Sequence, residues 1–77
     1  TVIGIDNIPG SEAIETSLMP KNCVLVFGQE GPGLSEKMIK ASAKILAITQ
    51  YGSTRSINAG VASGIAMYEW LRQHSQV

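Results

Sequence analysis

A chain of 77 residues makes one domain at most, and a small one with a thin core. Six basic residues balance six acidic ones, and a formal net charge of zero argues against a domain that grips nucleic acid by a broad basic face. No run approaches the roughly 18 apolar residues of a membrane span. Cys23 stands alone, so neither a disulfide framework nor a paired-cysteine metal site is expected, and the expected setting is reducing and cytoplasmic. The chain opens at Thr1 with no initiator Met or leader and enters a strand-like run directly, as a piece of a longer protein would.

Three short apolar runs rich in β-branched residues predict strands at Val2–Ile5, Cys23–Phe27 and Lys44–Ile48. The second and third are continuously apolar rather than alternating, the pattern of strands buried on both faces of a parallel sheet. Ser11–Ser17, ending before Pro20, is weakly apolar and fits only a short helix. Ser35 is a good N-cap for a helix reaching Ala43, with Glu36 in its first turn and Met38 and Ile39 on its apolar face. The last element is the clearest. From Ser56 to about His74 no proline occurs, and Ile57, Val61, Ile65, Tyr68 and Leu71 recur at helical spacing. Gly60, Ser63 and Gly64 lie on or near that face, which implies that a strand, a ligand or a second helix packs closely there, since each glycine costs the helix roughly 1 kcal/mol. The alternation of strands and helices predicts an α/β fold.

Two loops follow the continuous apolar strands, and chemistry is expected there, because open α/β sheets bind ligands beyond the carboxyl ends of their strands. The first is Gly28-Gln29-Glu30-Gly31-Pro32-Gly33-Leu34-Ser35. Gly28 and Gly33 would let backbone approach a ligand, or would serve only the dihedrals of a strand–helix turn. No Lys-Ser/Thr follows the glycines and no G-x-G-x-x-G opens the loop, so neither phosphate fingerprint is met. Glu30 is either an acceptor that orders the loop or a solvated charge. The second loop, Thr49 to Asn58, gathers hydroxyls, amides and a guanidinium at the mouth of a helix. Ser56 fits a cap, Arg55 a phosphate partner or a solvated charge, and Asn58 needs partners if buried. Cys23 and Trp70 read as packing residues, and His74 as a cation suited to a helix end. Nothing in the sequence suggests a metal site.

Taken together, the two loops carry a family resemblance. Leu25 through Ser35 resembles the second signature of SpoU-type RNA 2′-O-ribose methyltransferases, an apolar strand followed by G-x-E-x-x-G-L-S. Ile48 through Asn58, with the small-residue helix beyond, resembles their third signature, which carries S-[LIM]-N. Thr49-Gln50 departs from it, standing where many members have Pro-Met. The resemblance covers residues 2–74 and implies that residues 1–77 are the C-terminal portion of a parallel-sheet α/β domain with a deep trefoil knot.

The family binds S-adenosylmethionine within that knot, largely through main-chain groups. Carried over, the resemblance implies cofactor contacts from Ile5, Gly28, Ile48, Ser56 and Ile57. Glu30, Ser56 and Asn58 match the signature residues expected at the catalytic centre, ordering the loops and holding the target ribose, and Arg55 is the candidate for substrate binding. The implied reaction is methyl transfer to a ribose 2′-hydroxyl of tRNA or rRNA. The arginine credited in the family with the proton step belongs to a first signature that these residues do not include, so the 77 residues alone are expected to be inactive. The resemblance also implies a homodimer. The other reading is a knotted module that has lost catalysis and serves in dimerisation or RNA docking.

Overall fold

The structure is a computed structural model that describes residues 1–28, 32–49 and 59–75. The elements are β1 (Val2–Ile5), β2 (Glu12–Ala13), a 3-10 turn (Ile14–Thr16), β3 (Val24–Phe27), α1 (Glu36–Ala41), β4 (Lys44–Ala47) and α2 (Ala59–His74). The four strands form one sheet in the order β2-β4-β1-β3, and every pairing is parallel, as the apolar runs predict. β1 lies inside it, with Ile5 level with Phe27 on one side and Leu46 on the other.

The pleat sorts the layers, because successive side chains point to opposite faces. Ile3 and Ile5 join Leu46, Ile14, Met19 and Ala66 in the core, with Leu25, Phe27 and Trp70 packed against them. This is the α2 face. Gly4 points the other way: a Cβ there would meet Ile45, Leu34 and Ser42 at 2.7–3.1 Å, so the glycine admits the α1 layer. Val24 and Val26 share that second face, where α1 packs chiefly on β1. Val24 is therefore 59% exposed, and the continuous apolar run marks an edge strand here, not one buried on both faces.

Ser35 caps α1 as expected, its hydroxyl accepting from the Met38 amide at 3.2 Å. The helix stops at Ala41, short of the predicted Ala43, because the Ala43 amide already donates to the Val2 carbonyl and starts the next strand. The expected helix over Ser11–Ser17 is instead a two-residue strand and a 3-10 turn. Glu12 and Ala13 pair with Leu46 and Ala47 of β4, and that long-range pairing overrides local propensity.

Of the three neighbours left open for the α2 stripe, the sheet is excluded within these residues. The residues against the sheet are small, Ala62 and Ala66, followed by half-buried Trp70 and Gln73. The large residues of the predicted apolar stripe point outward: Val61, Ile65, Tyr68 and Leu71 are all exposed, and a Cβ on Gly64 would meet nothing within 4 Å. Small residues let the helix lie close on the sheet; the glycine serves no close contact within these residues. Ser56 to Asn58, the predicted start of the helix, lie outside the described residues.

Polar contacts clamp the end of α2 to the segment before β3. Gln73 donates to the Ser17 carbonyl at 2.9 Å and accepts from the Met19 amide at 2.7 Å. The Trp70 indole N–H is shared between the Pro20 and Lys21 carbonyls, both at 3.1 Å. His74 Nε2 donates to the Met19 carbonyl at 2.7 Å, its ring tilted against Trp70. Trp70→Phe removes one such donor, worth about 1 kcal/mol. Amide exchange in the last turn of α2 should accelerate roughly fivefold, with β1 unaffected.

Candidate functional site

The expected cofactor residues within the described chain fall on one edge of the sheet. Ile5 ends β1, Gly28 follows β3, and Ile48 follows β4, and these are three adjacent parallel strands. That is where a parallel sheet presents unpaired main-chain groups to a ligand. Ile5 is 5% exposed and its side chain belongs to the core, so only its backbone can face such a ligand. Ile48 likewise packs its side chain on the core. The other expected site residues, Glu30, Arg55, Ser56, Ile57 and Asn58, lie outside the described residues.

The two described ends of the glycine loop meet. A Cβ on Gly28 would lie 2.7–2.9 Å from the backbone of Gly33 and Leu34. The missing side chain therefore first serves closure of the loop, a reason sequence reading did not give. Gly33 has φ +75°, which other L-residues rarely adopt, and a Cβ there would lie 2.6 Å from the Asp6 carboxylate.

Asp6 is the site residue that sequence reading missed. Its own amide donates to the Leu46 carbonyl at 3.0 Å, which ties its backbone to β4. One carboxylate oxygen accepts from the Asn7 amide at 2.9 Å, and the other accepts from the Leu34 amide at 3.0 Å. One residue, through its amide and its carboxylate, thus links the ends of β1 and β4 to the far end of the glycine loop. The available signal was a carboxylate directly after a buried strand, one position past an expected cofactor contact.

A second carboxylate stands beside Ile48. The Thr49 hydroxyl donates to Glu15 at 2.5 Å, and this bond, with a backbone one, holds the Glu15 carboxyl below its ordinary pKa. Burial and the Glu69 charge oppose that shift. Glu69 is itself lowered, by hydrogen bonds from Arg72 and then Gln73. Between these carboxylates lies a mostly apolar cavity of about 520 Å³, walled by Ile14, Ile48, Thr49, Gly64, Ile65 and Tyr68. A volume of that order suits a small organic ligand. The arrangement can hold a ligand by main-chain hydrogen bonds and apolar contact, with few charges.

Comparison with known proteins agrees with that geometry. Residues 1–68 match the model of the SpoU rRNA Methylase family. The tRNA (guanosine(18)-2′-O)-methyltransferase of Aquifex aeolicus is 39% identical over 56 residues, covering 73% of this chain and 26% of that protein. The 23S rRNA (guanosine-2′-O-)-methyltransferase RlmB of Salmonella typhi is 36% identical over 59 residues, or 77% of this chain and 24% of that protein. Among solved structures, the SpoU methyltransferase AviRb from Streptomyces viridochromogenes, in complex with the cofactor AdoMet, superposes with a TM-score of 0.85 at 27% identity. It covers 97% of this chain and 28% of its own. The chain therefore spans about a quarter of the curated relatives it matches.

Proposed function

We propose that this chain, which belongs to the SpoU rRNA Methylase family, forms the S-adenosylmethionine-binding part of an RNA 2′-O-ribose methyltransferase. The observation that carries the reading is the convergence of Ile5, Gly28 and Ile48 at the ends of three adjacent parallel strands, where Gly28 lies against the backbone of Gly33 and Leu34. These residues fit the cofactor. Backbone groups at Ile5, Gly28 and Ile48 would hold its polar edges, and the lack of bulk at Gly28 and Gly33 keeps the loop tight beside it. When bound, the cofactor supplies an electrophilic methyl group on a sulfonium.

The rest of the work falls to the chain. The enzyme must hold the ribose hydroxyl in line with the methyl group and help remove its proton. Glu30, Ser56 and Asn58 order the loops and hold the ribose, while Ser56 and Ile57 add main-chain contacts to the cofactor. Arg55 pairs with a phosphate of the substrate. The substrate is tRNA or rRNA, the classes named for the two relatives, and the backbone passes through the family's trefoil knot. The enzyme works as a homodimer in the cytoplasm. The exposed apolar stripe of α2 supports the dimer, and no helix among the described residues is long and apolar enough to cross a membrane.

The test is calorimetric titration of S-adenosylhomocysteine into the longest natural form of the chain. One saturable site per subunit is the expected result; no binding by a folded dimer would leave the docking-module reading instead. A second expectation concerns chemistry. Asn58→Ala should lower methyl transfer to RNA at least about tenfold, the effect of losing one well-placed hydrogen bond to the ribose or its loop. The dimer should remain folded, and wild-type turnover would remove Asn58 from the site.

A further inference from the structure

We infer that Asp6 is a positioning residue that sets the width of the cofactor loop, an assignment that rests on the function proposed above. Three geometric facts carry it. First, the origin of the side chain is fixed: Asp6 follows the inner strand β1, and its amide is bonded to the Leu46 carbonyl on β4 at 3.0 Å. Second, its two carboxylate oxygens are committed to different places, one to the Asn7 amide in its own turn and the other to the Leu34 amide, 28 residues away. Third, the loop is built around that carboxylate. Gly33 lies so close that a Cβ would fall 2.6 Å from Oδ2, and Leu34 beyond it is buried.

The consequence is mechanical. Gly28 begins the loop and touches the backbone of Gly33 and Leu34, which end it. The bond to Leu34 therefore fixes where the backbone beside Gly28 can sit relative to Ile5. Those are two of the three proposed cofactor contacts that lie within the described residues. A carboxylate suits the task because it only accepts hydrogen bonds and has two oxygens to share. An amide in its place would turn its NH2 toward one of the two N–H donors.

Asp6→Asn in the longest natural form is the test, read by titration with S-adenosylhomocysteine and by steady-state methyl transfer. Loss of one charge-assisted hydrogen bond should raise the Kd about tenfold, with the number of sites per subunit unchanged. KM for S-adenosylmethionine should rise by a similar factor while KM for RNA holds. A merely structural role predicts a different result: fewer binding-competent molecules at wild-type Kd, which would overturn the inference. Should Asp6→Asn not fold, Gly33→Ala reaches the same bond from the other side by pushing its new Cβ against the carboxylate. It should give the same rise in Kd, and an unchanged Kd there would also overturn the inference. If the wild-type protein binds no cofactor, the proposed function falls and this assignment with it. Wild-type binding with unaltered variants removes Asp6 alone.

Discussion

Gly28→Val should weaken S-adenosylhomocysteine binding by more than about a hundredfold, a loss near 3 kcal/mol. The added Cβ would sit 2.7 Å from the Leu34 amide nitrogen and 2.8 and 2.9 Å from the carbonyl carbon and Cα of Gly33. All three are backbone atoms, so no side-chain rotation relieves the contact, and valine adds two methyl groups beyond it. Overpacking of that kind costs roughly 1–3 kcal/mol where side chains can shift, and more where they cannot. Two causes of lost affinity can be told apart. If Gly28 only leaves room for the ligand, the loop of the free protein is untouched by the substitution. If it closes the loop, the Leu34 amide separates from Asp6 and exchanges faster in Gly28→Val before any ligand is added. The geometry favours the second, and Gly28→Ala, which brings the same first carbon, should reproduce it. Wild-type affinity in Gly28→Val would take the glycine out of the site altogether.

What sequence reading reached, and where it stopped, follows the range of the forces involved. The strand runs at Val2, Val24 and Lys44 and the Ser35 cap are local signals, and each is found within a residue or so of its expected place. β2 was not legible, because its two residues are a strand only through β4, some 34 positions along the chain. The facing of α2 stayed open for a different reason. Helical periodicity locates large residues on one side, but nothing in it says which side meets the sheet. Here Ala62 and Ala66 meet it, and small residues carry little weight in such a pattern. At the proposed site, Gly28 stood out in its loop, while Ile5 and Ile48 came from the family resemblance. Asp6 was not legible, since its partner at Leu34 lies 28 positions along the chain.

The outward facing of the α2 stripe leads to the second large effect. Val61, Ile65, Tyr68 and Leu71 form one stripe along a 16-residue helix, each 39–68% exposed. A patch of that kind on a small domain marks an interaction surface. A two-fold dimer is self-complementary, so a stripe buried against its own copy places each substituted residue in the interface twice. Val61→Glu with Tyr68→Glu would then put four carboxylates into an apolar contact, each costing several kcal/mol or forcing the surfaces apart. Glutamate is a good helix former, and both positions face away from the sheet, so the fold of the protomer should survive. Sedimentation of the longest natural form should show a dimer for wild type and a monomer for the double variant at micromolar concentration, with unchanged helix content. A variant that still sediments as a dimer would place the contact elsewhere. It would leave the stripe of α2 to another partner.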